Sequence, residues 1–133
     1  MKTVKVFIEK SDYGYSAYMD DTPLSYSCLG EGKTVAETID DFYDAYNDMR
    51  EYYQSIDKYF EEVNLEFYYD PVSFIQSLNG VFTLRGLSKI TGINERQLGH
   101  YVQGVSRPRP ATAQKIKDSI IQYAKDLSCA RLI

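Results

Sequence analysis

The side chains best suited to recognise another molecule lie in "LSKITGINERQLGHYVQG", from Leu87 to Gly104. Arginine matches the hydrogen-bonding edge of guanine, glutamine matches that of adenine, and glutamate can accept from the amino group of cytosine. All three residue types fall within a few positions, and two arginines suited to phosphate contacts follow in "VSRPRP". This chemistry predicts a DNA-contacting surface made by Thr83, Asn94, Glu95, Arg96, Gln97, His100, Arg107 and Arg109.

The spacing within the segment predicts two short helices joined by a tight turn. Leu87 is an apolar anchor, and Gly92 tolerates the positive φ that such a turn requires. Asn94 suits the N-cap of the second helix, and Leu98 and Tyr101 share its inward face. The pattern resembles the Cro-type helix-turn-helix of phage-repressor-like regulators over about residues 78–127. That resemblance implies a second helix that enters the major groove. The alternative is a four-helix domain with a solvated polar face.

The charge distribution divides the chain. Residues 1–70 hold 16 Asp and Glu against 6 Lys and Arg, a formal −10, whereas residues 71–133 hold 3 against 9, a formal +6. Such asymmetry indicates that the two halves have different functions, and the basic half is suited to binding a polyanion. Asp70-Pro71 is the predicted boundary, so the expected domains are residues 1–70 and 71–133.

The hydrophobic periodicity predicts an α+β fold. Period-two alternation in "TVKVFIE", "GYSAYMD" and "PLSYSCLG" predicts three antiparallel strands. The predicted turn residues are Gly14, Pro23, Gly30 and Gly32. A capping box formed by Thr34 and Glu37 starts an amphipathic helix that runs to about Ile56, and "VNLEFYY" predicts a fourth strand. The N-terminal domain is therefore β-β-β-α-β. Four helices follow, a short one in "VSFIQSL" and three more in "TLRGLSKITG", "NERQLGHYVQ" and "ATAQKIKDSIIQYAKDL".

Composition removes several classes of function. The chain has a single histidine, His100, which excludes any site that needs two imidazoles. No apolar run reaches the 18–20 residues or so needed to span a bilayer. The N-terminus lacks the apolar block of a signal peptide, so a cytoplasmic protein with no membrane partner is expected. Cys28 and Cys129 are then reduced thiols, and neither metal nor cofactor is expected.

A second resemblance covers the acidic half. The segment "GYSAYMDDTPLSYSCLGEGKTVAETIDDFYDAY" is similar to the HicB family of antitoxins, which have G-Y-x-A on a strand, an acidic–Pro turn and G-x-T before a helix. The matching residues are Gly14, Tyr15, Ala17, Asp20, Asp21, Pro23, Gly32, Thr34 and Glu37.

This resemblance implies a partial RNase H-like domain followed by an all-α helix-turn-helix domain. It also implies a non-enzymatic antitoxin that neutralises a HicA-type RNA-cleaving toxin and represses its own operon. The toxin-binding residues would be Tyr18, Asp20 and Asp21. Because one recognition helix reads only a few base pairs, a homodimer or higher homo-oligomer on a palindromic operator is expected. The C-terminal helix, with Ile116, Ile120 and Leu127, either dimerises or closes the core of its own domain.

Two alternatives remain open at this point. The first is a solitary helix-turn-helix regulator whose N-terminal domain senses a ligand or dimerises. The second is a metal-dependent ribonuclease, which requires carboxylates that converge on metal ions about 4 Å apart.

Overall fold

The computed structural model describes residues 1–133 and divides them into two compact units, Met1–Asp70 and Pro71–Ile133. Five helices and one four-stranded mixed sheet make the chain an α+β protein. None of the helices combines the length and the apolar character that a membrane span would need.

Unit 1 (Met1–Asp70) contains one sheet and one long helix. The sheet order is β3-β2-β1-β4, with β1 antiparallel to β2, β2 antiparallel to β3, and β4 parallel to β1. The predicted β-β-β-α-β order of this half is confirmed. In chain order the elements are β1 Thr3–Ser11, β2 Gly14–Met19, β3 Leu29–Gly32, α1 Val35–Ser55 and β4 Asn64–Tyr69.

The inner face of the sheet forms the core of unit 1. Val4, Val6 and Ile8 of β1 are at most 1% exposed, and Ala17 of β2 is as deeply buried. They pack in one cluster with Phe42 of α1. Each such burial contributes about 1.5–3 kcal/mol for a Val, Ile or Phe side chain. The alternation read from the sequence of β1 therefore sets which of its side chains turn toward α1 and which turn away.

The third strand differs from its prediction. "PLSYSCLG" was expected to pair along its whole length, but β3 begins only at Leu29, and most of Leu24–Cys28 is irregular. Tyr26 and Cys28 are nevertheless buried. The Tyr26 ring stacks on Phe60 at 4.5 Å, and its hydroxyl donates to the Glu61 carbonyl at 2.7 Å. The alternation in "PLSYSCLG" therefore reflects the burial of Tyr26 and Cys28 in the core and not pairing as a strand. Burial raises the pKa of the Cys28 thiol to about 11, which keeps it neutral.

Gly30 and Gly32 lie within β3, so their predicted role as turn residues is wrong. A Cβ on Gly30 would lie 2.7 Å from the Thr38 carbonyl oxygen and 2.8 Å from the Phe42 backbone nitrogen of α1. A Cβ on Gly32 would lie 2.7 Å from the Thr38 nitrogen. The two glycines are therefore needed because the helix backbone lies directly against the strand.

Helix α1 begins as predicted but with a shifted capping box. The Thr34 hydroxyl accepts from the Glu37 N–H at 3.1 Å, whereas the Glu37 carboxylate accepts from Lys33, one residue before the cap, at 2.9 Å. The predicted apolar stripe is largely confirmed, since Phe42, Tyr46 and Tyr53 are buried and Ile39 and Met49 pack against the core. Its exception is Tyr43, which is exposed although its ring lies near Phe67.

Unit 2 (Pro71–Ile133) is all helical: α2 Pro71–Asn79, α3 Leu84–Thr91, α4 Glu95–Gln103 and α5 Pro110–Ser128. Its buried cluster consists of Ile75, Leu87, Leu98, Tyr101 and Ile116.

Helix α5 is divided along its length. Ile116 is buried and Ile120 packs against the core of unit 2, so the first half of α5 closes its own domain. Ile121 and Leu127 of the second half are 42% and 56% exposed.

The contact between α1 and β3 leads to a first prediction. Gly30→Ala should destabilise the protein by about 1–3 kcal/mol, because the added methyl forces two backbones apart. Gly80→Ala is the matched control, since a Cβ there meets nothing within 4 Å. Urea denaturation of both variants measures the difference. Equal free energies of unfolding for the two variants would contradict the proposed need for close approach.

Candidate nucleic-acid interface

Helices α3 and α4 are joined by the three residues Gly92, Ile93 and Asn94. Gly92 ends α3 with φ of 73°, which confirms the positive φ expected there, and its N–H donates to the Ser88 carbonyl at 2.8 Å. Asn94 then begins α4, with its side-chain oxygen accepting from the Arg96 N–H at 2.8 Å. Ile93 packs against the buried cluster of unit 2. The turn is thus fixed by hydrogen bonds at the end of α3 and the start of α4, and by the packing of Ile93 against the buried cluster.

Thr91 stabilises the turn in a way that the sequence analysis missed. It is 3% exposed, and its hydroxyl donates to the Leu87 carbonyl at 2.7 Å and accepts from the Ile93 N–H at 3.2 Å. One hydroxyl therefore connects the last turn of α3 to the connecting loop. In the sequence, the only sign of this role is that Thr91 directly precedes Gly92. That position does not distinguish it, because threonine is also common in the last turn of a helix.

Two of the predicted contact residues already serve as helix caps. The Thr83 hydroxyl caps α3 by accepting from the Gly86 N–H at 2.9 Å, and Asn94 caps α4. A cap that accepts from the helix N–H groups cannot at the same time point away to read a base edge. Thr83 and Asn94 are therefore placed to position the helix ends, where a phosphate can approach free backbone N–H groups.

Glu95 and Arg96 are the free side chains of the first turn of α4. Both are exposed, and neither side chain has a hydrogen bond or an ion pair in the structure. A shallow concavity groups them with Asn94, His100 and Gly99, together with Leu84 and Gln103. An exposed arginine in a concave, polar surface has the reach and the donors for bidentate recognition of guanine.

Gln97 and His100 are less free than Arg96. The Gln97 amide donates to the Ser106 hydroxyl at 3.1 Å, which ties the helix to the loop that follows it. His100 is half-buried, and its carbonyl accepts from the Val105 N–H at 2.9 Å. The structure therefore brings His100 into the same concavity as Arg96, whereas the Gln97 side chain is directed to the loop.

Arg107 and Arg109 lie on the segment that connects α4 to α5, and both are exposed. Arg109 is the N-cap residue of α5, with an extended backbone (φ −66°, ψ 156°) and no side-chain capping bond. Pro110 follows at the first helical position, where its fixed φ favours the start of a helix. The backbone at Arg109 is thus restricted by the proline that follows it, and the Arg109 side chain does not cap α5.

The N-terminal residues predicted to bind a partner differ in their surroundings. The Asp20 carboxylate accepts from the Lys5 N–H at 3.2 Å and the Thr22 N–H at 2.9 Å, so it has a local structural task. Hydrogen bonds from the Thr22 side chain and backbone hold the pKa of Asp20 below its usual range. Asp21 is exposed. Tyr18 is exposed on the sheet, and its hydroxyl donates a hydrogen bond to the Glu9 carboxylate.

The carboxylates of the chain do not gather into a metal site. No group of three or more His, Cys, Asp or Glu side chains is placed to hold a metal ion. Comparison with protein-family models, with curated proteins and with solved structures finds no match for this chain.

The buried threonine leads to a second prediction. Thr91→Val should destabilise the protein by about 1–3 kcal/mol, because the nearly isosteric valine leaves the Ile93 N–H without an acceptor. Thr91→Ser keeps the hydroxyl and should recover much of the loss. Thermal unfolding of the three proteins tests this. A Val variant as stable as the wild type would mean that the hydroxyl does not hold the turn.

Proposed function

We propose that the protein is an antitoxin of the HicB type that represses its own operon. Unit 2 binds operator DNA through a helix-turn-helix formed by α3 and α4, and unit 1 neutralises a basic, HicA-type RNA-cleaving toxin. The observation that carries the proposal is the short α3–α4 turn, which presents the unbonded side chains of Glu95 and Arg96 at the start of α4.

Several features of unit 2 support DNA binding. The free N-terminus of α4 is where a recognition helix meets base edges in the major groove. Arg107 and Arg109 lie on the segment after that helix, where they can contact phosphates. The formal charge of +6 over residues 71–133 favours association with a polyanion. Arg96 and His100 would face the bases, and Gln97 would keep its hydrogen bond to Ser106 in the loop after α4.

The antitoxin role draws on unit 1. The β-β-β-α-β element order and the residues from Gly14 to Glu37 are those expected from the HicB resemblance, with its partial RNase H-like domain. The charge of −10 over residues 1–70 complements a toxin whose RNA-binding surface must be basic. Unit 1 would act by covering that surface, without chemistry of its own.

Operator recognition calls for two copies of the chain. A single recognition helix reads few base pairs, so useful specificity requires half-sites about 34 Å apart, or a multiple of that distance. The exposed Ile121 and Leu127 on the second half of α5 are apolar side chains that a second copy would cover. This assembly is part of the proposal.

The DNA-binding part gives a third prediction. Arg96→Ala should weaken binding to the cognate promoter by about 1–3 kcal/mol and relax the base preference at one position. Arg109→Ala should weaken binding to all sequences and reduce the slope of affinity against salt concentration by about 1. Fluorescence anisotropy with promoter DNA measures both effects. Lys33→Ala, which removes an equal charge from an exposed position in unit 1, is the control.

Unchanged promoter affinity in both the Arg96 and the Arg109 variants would contradict the helix-turn-helix assignment. An effect of Lys33→Ala as large as that of Arg96→Ala would mean that general charge attraction, and not recognition by α4, accounts for the binding.

The antitoxin part gives a fourth prediction. When the gene is expressed with its genomic neighbour and only this protein is tagged, a small basic protein should co-purify in a fixed ratio. When separated from this chain, that protein should cleave RNA, and in the complex it should be inactive. Undiminished cleavage in the presence of this chain would contradict neutralisation. Promoter binding without any co-purifying protein would instead favour a solitary regulator.

A further inference from the structure

The outer face of the sheet in unit 1 carries an apolar row that crosses all four strands. In the strand register Leu29 is opposite Tyr18, Tyr18 is opposite Phe7, and Phe7 is opposite Tyr68. Leu29, Tyr18 and Tyr68 are 67%, 37% and 44% exposed. A sheet with one face toward water normally presents polar side chains there. This row therefore requires an explanation other than the core of unit 1, which lies on the opposite face with α1.

The rings of the row support one another. Phe7 lies at the centre, with its ring centroid 5.8 Å from that of Tyr18 and 6.4 Å from that of Tyr68. Tyrosine side chains have few rotatable bonds, so a row held by ring contacts loses little conformational entropy when a partner covers it. Tyrosine is also enriched at the centres of protein interfaces.

Each tyrosine holds a carboxylate at the border of the row. The Tyr18 hydroxyl donates to Glu9 Oε1 at 2.6 Å, and the Tyr68 hydroxyl donates to Glu66 Oε2 at 3.0 Å. These hydrogen bonds raise the pKa of both tyrosines and fix the position of each carboxylate beside its ring. A carboxylate has two oxygens and can accept further hydrogen bonds beyond the one from its tyrosine.

The charges on this face select the kind of partner. The outward strand positions carry the three carboxylates Glu9, Glu31 and Glu66 against the single cation Lys5. The Lys5 ammonium lies 5.5 Å from the centroid of the Tyr68 ring, so a cation already occupies a ring face in this row. A nucleic acid or an anionic membrane would be repelled. A second copy of the same face would oppose like charges.

We propose that this outer face is the docking surface for a basic protein, whose arginines stack on Tyr18 and Tyr68 and bind the carboxylates of Glu9 and Glu66. The guanidinium group is planar, stacks on aromatic rings and forms two parallel hydrogen bonds to a carboxylate. Lysine offers only a point charge. The choice of partner rests on the proposed antitoxin role, while the surface itself is defined by the row and its carboxylates.

The test uses the full-length, isotope-labelled protein and a capped octa-arginine peptide in 0.15 M salt. Backbone amide shifts should change around Lys5–Glu9, Tyr18 and Glu66–Tyr68. The peptide should bind at least about threefold more tightly than octa-lysine, because only arginine provides the bidentate fork. Tyr18→Leu with Tyr68→Leu should weaken octa-arginine binding about tenfold, as loss of a central aromatic anchor does.

A matched pair of variants separates this surface from simple acidity. Glu9→Gln with Glu66→Gln removes two charges from the outer face, and Asp44→Asn with Asp48→Asn removes two from the exposed side of α1. The first pair should weaken octa-arginine binding several-fold, and the second should have little effect. Equal losses, or shift changes centred on α1, would overturn the proposal. The glutamine pair alters exposed side chains only, so it keeps the test valid if the leucine pair misfolds.

Failure of this inference can be distinguished from failure of the antitoxin role. If the co-purifying toxin is inhibited equally by the wild type and by both outer-face double variants, the surface is wrong and the antitoxin role stands. If octa-arginine maps to the outer face but no toxin is inhibited, the surface stands and the antitoxin role is wrong.

Discussion

Burial of one face of β1 is the constraint on which unit 1 depends. Val4, Val6 and Ile8 are almost completely buried, and both β2 and β4 pair with this strand. Because side chains alternate along a strand, a shift of register by one residue would turn all three outward. The same alternation places Lys5, Phe7 and Glu9 on the outer face. The core and the proposed docking surface are thus two consequences of a single pattern.

Unit 2 is organised instead by its helix ends. Helices α3 and α4 have eight and nine residues, and helices of that length are marginal by themselves. Thr83 and Asn94 satisfy N–H groups at the helix starts, Gly92 and Gly104 end helices with positive φ, and Thr91 connects α3 to the turn. Burial of Leu87 and Leu98 in one cluster then stabilises the pair. These local bonds determine where Arg96 lies and leave its side chain unoccupied.

The two halves fit a division of labour. The basic unit presents a helix start and two arginines after it, which suits a polyanion with readable base edges. The acidic unit presents aromatic rings bordered by carboxylates, which suits a basic protein. Under the proposed function, one chain could bind both partners at once, because the two surfaces have opposite charge and do not compete for one ligand.

The sequence by itself determined the α+β class, the element order, the inward face of β1 and α1, and the turn at Gly92. Each follows from local rules: the period of the apolar residues, the cap chemistry and the conformational freedom of glycine. The same local signals failed at "PLSYSCLG", where burial of Tyr26 and Cys28 produced a strand-like pattern without strand pairing. They failed again at Gly30 and Gly32, where the requirement comes from a helix that lies several residues away in sequence.

Only the tertiary structure decided which polar residues are free. Gln97 and Asp20 match the expected chemistry by type, yet the side chain of each is engaged in local hydrogen bonds, whereas the Arg96 side chain is not. The aromatic row could not be read from the sequence either. Phe7, Tyr18 and Tyr68 are distributed over three strands, and they come together only through the antiparallel register of β1 with β2 and the parallel register of β1 with β4. The alternation of apolar residues fixes which face of each strand turns inward, but the pairing of β1 with β4 joins segments distant in sequence, and local patterns do not specify it.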